Sequence, residues 1–166
     1  MFDFTLLQIF MHLTLAAFLG ILIGAERAVA GKTAGMRTFA LVSTGAALFV
    51  TLSVLVTNQY FGRVPFDPMR IVASIVSGVG FIGAGLILLR NDVLRGLTTA
   101  SGLWISSGIG ATVGFGFYQI AIFTTLLVLL IFTAIWFVET KIKSIVKKGQ
   151  PTTLEEITTV EELINE

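Results

Sequence analysis

The feature that most constrains this chain is a set of apolar stretches too long and too free of charge for a water-soluble fold. The first, "TLLQIFMHLTLAAFLGILIG" (Thr5–Gly24), carries no charged residue at all. An apolar run of about 18 residues or more reads as a transmembrane helix. Five such spans are expected: Phe4–Gly24, Thr38–Thr57, Ile71–Leu89, Leu97–Val113 and Gln119–Val138. At about 1.5 Å rise per residue each can cross a hydrocarbon core of about 30 Å, the fourth only just. Composition agrees, with 55% hydrophobic and 13% charged residues and a mean hydropathy of +0.92. Soluble domains carry about 25% charged residues. The expectation is an all-α polytopic membrane protein. A cleaved signal peptide is the competing reading of the first span, but it requires a basic leading segment, and only Asp3 precedes the apolar run.

Lysine and arginine set the orientation. Five spans place Arg27, Lys32, Arg37, Arg90, Arg95, Lys141, Lys143, Lys147 and Lys148 on one side, against Arg63 and Arg70 on the other. The amino terminus is therefore expected outside and the carboxyl tail in the cytoplasm. Residues 1–140 form the membrane domain, and 141–166 a short tail, basic and then acidic. With no cysteine and one histidine, disulfides and Cys/His metal clusters are excluded.

Two motifs are lures. "AGKT" (Ala30–Thr33) resembles the end of a phosphate-binding loop, but G-x-x-x-x-G-K-[ST] requires glycine where Glu26 stands, and a carboxylate there repels phosphate. "GVGFIG" (Gly78–Gly83) fits G-x-G-x-x-G, yet it lies inside a hydrophobic span rather than between a strand and a soluble helix.

The glycines have a different use. Lipid gives helices no hydrophobic reason to associate, so small residues that let backbones approach closely drive packing. Gly20 and Gly24 are spaced for this in the first span. Gly78, Gly80, Gly83 and Gly85 serve in the third, and Thr98, Gly102, Ser106, Gly110 and Gly114 form a ridge in the fourth. The fifth span lacks glycine and is expected at the lipid-facing periphery. A sharper alternative makes spans three and four broken or re-entrant, with Ser43, Thr44, Ser106, Ser107 and Thr112 lining a polar path; those hydroxyls could equally bond carbonyls of their own helices. A faint repeat is present: Gly24, Gly35 and Thr38 recur 61 residues later as Gly85, Gly96 and Thr99, which makes spans one–two and three–four parallel copies. His12, near Gln8 at membrane depth, reads as a hydrogen-bonded packing residue in preference to a proton relay.

Two turns carry the charge. Glu26, Arg27, Lys32 and Arg37 lie in the first, and Arg90, Asp92 and Arg95 in the second. Orientation alone explains the cations but not Glu26 or Asp92. An acid at a helix end near hydrocarbon needs a cationic partner. Cross-turn pairing of both acids with arginines is expected, either as a lock between the hairpins or as an ion or partner site.

At these residues the sequence resembles the MgtC/SapB family. The resemblance runs from about Gly20 to Tyr118 and rests on "ERAVAGKTAGMRT", "FIGAG" and "GLTTASGLW". The matching positions are Glu26, Arg27, Gly31, Lys32, Gly35, Arg37 and Thr38, then Gly83, Gly85, Gly96, Leu97, Thr98, Thr99 and Trp104. "TTAS" and "SSGIG" depart from it, where more alanine is expected. The resemblance implies a prokaryotic cytoplasmic-membrane protein linked to growth in low magnesium and, in pathogens, to survival in host cells. It also implies action on another membrane protein such as ATP synthase or a cation transporter. Larger members add a cytoplasmic regulatory domain; the segment after Lys148 is expected to be too short for one, though Thr153/Glu156 and Thr159/Glu162 have capping-box spacing.

The expected function is thus a non-enzymatic regulator of another membrane protein, with a homo-oligomer as a further arrangement. No cofactor or nucleic acid is expected, and no nucleophile–base pair suggests an enzyme. The alternative is a cation or small-solute channel or transporter with its site at the turns. A magnesium path usually requires carboxylates, and Asp67 is the one acid in an outward loop.

Overall fold

The computed structural model describes residues 4–60, 67–90 and 93–149. It contains five helices and one short hairpin: α1 (Leu6–Val29), α2 (Met36–Gln59), α3 (Met69–Ala84), β1 (Leu88–Arg90), β2 (Val93–Arg95), α4 (Leu97–Gly114) and α5 (Tyr118–Gly149). The acidic tail and its capping-box pairs lie outside the described residues. Two compact units are present, Met1–Leu129 and Leu130–Glu166. The protein is an all-α membrane protein: α1, α2 and Tyr118–Ile142 are long and apolar enough to cross a bilayer, and α3 is a shorter apolar helix.

Local chemistry fixes the helix ends. Thr5 caps α1 in a capping box with Gln8, whose side chain accepts from the Thr5 N–H at 2.8 Å. At the other end Gly31 adopts φ +66°. Its N–H donates to the Ala28 carbonyl at 3.0 Å, and Lys32 N–H to that of Arg27 at 3.0 Å, the paired bonds of a Schellman cap. Gly116 closes α4 the same way, at φ +83°, with Gly116 N–H on Val113 and Phe117 N–H on Thr112. The "AGKT" glycine is therefore a helix stop. Two expected spans need correction. α1 continues five residues past Gly24, which puts Glu26 and Arg27 on the helix rather than in the turn. The third span ends at Ala84, and Leu88 and Leu89, assigned to it from the sequence, belong to β1.

Close backbone contact organises the first unit. A Cβ at Gly20 would stand 2.6 Å from the Phe39 carbonyl oxygen, and one at Gly24 2.6 Å from Met36 Cα, so α1 and α2 form an antiparallel pair. On α4, Ser106 Oγ donates to Phe39 O at 3.4 Å, Gly110 lies against the Ser43 carbonyl, and a Gly114 Cβ would stand 2.7 Å from Ala47 O. These contacts advance together along both helices, so α2 and α4 run parallel. α3 returns antiparallel to α4, and a Cβ at Gly83 would stand 3.5 Å from Ala100 Cβ. Eleven of the eighteen residues of α4 are buried, Gly102 among them, which makes it the central helix. Ala46, Val50 and Ala111 form one buried cluster of the core, with Val72, Ile75 and Phe115 packed on it.

α3 is the exception to tight packing. Gly78 and Gly80, expected to pack, face open space, with nothing within 4 Å of where a Cβ would stand on either. The reason is periodicity: Val72, Ile75, Val79 and Gly83 recur at three- and four-residue steps and form the stripe turned to the bundle, leaving both glycines off it. Gly85 touches only carbonyls of its own last turn. In α5, Ala121, Thr125 and Val128 are buried while Ile122, Phe123, Leu126 and Leu127 are exposed, the one-sided burial of a peripheral helix.

Candidate functional site

The expected ionic cluster starts on the last turns of α1. Arg27 is buried and its Nε donates to Glu26 Oε2, with side-chain exposures of 4% and 16%. A buried guanidinium requires an anionic or carbonyl partner, and a cation in the last turn also suits the helix dipole. Among the described residues Glu26 pairs with Arg27, its neighbour on the last turns of α1. Asp92 and the Arg90 side chain lie outside the described residues. Lys32, Arg37, Arg95 and Thr98 are exposed, Thr99 is buried, and Trp104 is half exposed on α4. Since α2 and α4 start at the same end of the bundle, the first turn and the β-hairpin share that end.

At the opposite end lies a buried network whose partners the sequence did not reveal. His12 is fully buried. Its Nε2 meets Tyr118 Oη at 2.7 Å and its Nδ1 meets Thr51 Oγ1 at 3.3 Å. The Thr51 hydroxyl donates to the Gly114 carbonyl at 3.4 Å. With that proton committed, Thr51 accepts from Nδ1–H, and Nε2 accepts from the Tyr118 hydroxyl, an assignment made from the network. Phe4 stands edge-on to the ring at 4.6 Å. One histidine therefore ties together four helices, in the packing role expected of it.

The hydroxyls proposed for a polar path are mostly engaged with backbone. Ser107 donates to Trp104 O at 2.7 Å and Thr112 to Gly108 O at 2.8 Å, both on α4, while Ser106 reaches α2. The Ser43 and Ser53 hydroxyls are buried without a partner. α3 and α4 are each continuous helices. Among the described residues no group of three His, Cys, Asp or Glu side chains could hold a metal ion.

Between α2 and α3 lies an open groove of about 800 Å³. Gly45, Phe49 and Ser53 line one wall, and Ser74, Gly78 and Ile82 the other. Neither Gly45 nor Gly78 has an atom within 4 Å of where a Cβ would stand.

The MgtC family profile matches residues 13–141. The chain belongs to the MgtC family. Among MgtC relatives, Protein MgtC of Salmonella typhimurium is 47% identical over 119 residues, 72% of this chain and 48% of its own length. YhiD of Escherichia coli K12, named as a candidate magnesium transporter, is 43% identical over 126 residues, 75% of this chain and 59% of its own. SapB of Bacillus subtilis is 39% identical over 127 residues, 75% and 54% respectively. This member of the MgtC family thus spans about half to three-fifths of the length of these relatives. No solved structure matches.

Proposed function

We propose that this chain is a non-enzymatic regulator in the cytoplasmic membrane of a prokaryote, acting by binding a helix of another membrane protein. The observation that carries the reading is the α2–α3 groove. Its glycines offer backbone to an incoming helix, the kind of surface by which membrane helices associate. A role in adaptation to low magnesium follows as part of this reading, through the partner rather than through an ion site.

The test is to fill the groove. Gly45→Leu and Gly78→Leu place side chains where nothing now stands, so the bundle keeps its melting temperature. Photo-crosslinking from Ser74 in native membranes should capture a partner from the parent protein and lose it in both variants. Capture undiminished in both variants removes the groove from the mechanism.

A second reading, transport of a cation or small solute with the site at the charged turns, is favoured by the name that YhiD carries. Reconstituted protein that takes up magnesium into liposomes, with uptake abolished by Glu26→Gln, would establish it in place of the regulator.

A further inference from the structure

The β1–β2 hairpin stands where the first half of the molecule has only helix and a short turn. Its register pairs Leu88 with Arg95, Leu89 with Leu94 and Arg90 with Val93. Cross-strand partners share a face, so Leu89 and Leu94 form one face, and Leu88, Val93 and Arg95 occupy the other. Leu88, Leu89, Val93 and Leu94 are each more than half exposed, and Leu97 beside them is 49% exposed. A lone two-stranded hairpin is at best marginal in water, and one with four exposed aliphatic side chains is less suited still.

The hairpin cannot lie in hydrocarbon either. Its outer edges carry unpaired N–H and C=O groups, which lipid tails leave unsatisfied. The remaining environment is the headgroup layer, where aliphatic side chains reach the acyl boundary and backbone still meets water. Helix lengths place it there. α3, of 16 residues, is about 24 Å long and α4, of 18, about 27 Å, both short of a hydrocarbon core of about 30 Å. A short span draws its flanking residues into the interface.

We infer that the β1–β2 hairpin is an interfacial anchor, with Leu89 and Leu94 seated at the acyl boundary and Arg95 bound to the phosphates of anionic lipids. Charge complementarity selects that occupant. Arg95 is exposed on the hairpin, and Lys32 and Arg37 are exposed at the same end of the bundle, which orientation by charge assigns to the cytoplasmic leaflet. Arginine forms two parallel hydrogen bonds with a phosphate, and its stem lets the guanidinium rise to the headgroups while the strand stays low. The inference is independent of whatever fills the α2–α3 groove.

The chain has no cysteine, so single nitroxide labels report without background. Leu94→Cys and Lys32→Cys, labelled in full-length protein, are placed in bilayers of phosphatidylcholine with and without phosphatidylglycerol. Spin relaxation by oxygen and by a water-soluble nickel chelate then reads depth. The expected result is a label at 94 open to oxygen and shielded from nickel, more so with phosphatidylglycerol, while position 32 stays open to nickel. Arg95→Gln loses the phosphatidylglycerol-dependent part of the shielding and keeps the fold. Free nickel access at 94 in both bilayers overturns the inference by placing the hairpin in water. Shielding from both reagents overturns it too, because protein then covers the hairpin.

Discussion

Gly110 sits where α2 and α4 meet backbone to backbone, against the Ser43 carbonyl, whereas Gly78 faces an empty groove. The same substitution should therefore have opposite consequences at the two positions. Gly110→Ala forces the helices apart and is expected to lower stability by about 1–3 kcal/mol, the usual range for overpacking. Gly78→Ala adds a methyl to open space on a helix and should be neutral or stabilising by up to about 1 kcal/mol. Thermal melts in one detergent compare them directly, and equal shifts would mean that α2 and α4 do not touch here. The His12 network makes a second residue-level prediction. Tyr118→Phe strips a buried ring nitrogen of its partner, for an expected loss of about 1–3 kcal/mol, while Tyr60→Phe, at an exposed helix end, should be silent in the same melt. The glycine contact could be anticipated from four-residue spacing. The histidine's partner could not, since Tyr118 is 106 positions away and nothing local marks it.

Helix termini decided which elements were legible. Gly31 stops α1 through a left-handed backbone with nothing crowding it, so its value is conformational alone. Gly31→Ala should cost about 1–2 kcal/mol, the penalty for an L-residue in that region. Gly31→Asn should recover part of the loss, because asparagine tolerates the conformation. A melt in which alanine and asparagine behave alike would show that the cap contributes nothing. The five apolar runs were readable because length and absence of charge suffice. Their ends were not: α1 runs on through "AERAV" because those residues continue a helix without objection, and its true stop lies at Gly31, beyond Gly24. The extra turn carries Glu26 and Arg27 on the helix, where the two side chains meet. "LILLR" failed for a different reason. A short leucine-rich run fits helix or strand equally by pattern, and pairing with "VLR" decides for strand only through tertiary structure.

At the scale of the molecule the faint repeat acquires structural content. Gly83 touches Ala100, and counting back 61 positions from each gives 22 and 39; Gly20 touches Phe39. The two antiparallel helix pairs thus share a register to within two residues, and their second helices, α2 and α4, lie parallel. Parallel copies place both inter-helix turns at one end, with the α2–α3 connection at the other. That arrangement and the distribution of lysine and arginine are independent lines, and each assigns the turn holding Lys32 and the hairpin holding Arg95 to the same side. Because the chain lacks cysteine, single substitutions test the topology in whole cells. Lys32→Cys and Val93→Cys should resist a membrane-impermeant maleimide until the cells are opened, and Tyr60→Cys should react from outside at once. Labelling of 32 and 93 on opposite sides would break the repeat itself, since one pair of helices would have to be inverted against the other. Labelling of all three in the reverse sense would leave the bundle intact while overturning the orientation, and with it the assignment of the hairpin to the cytoplasmic leaflet.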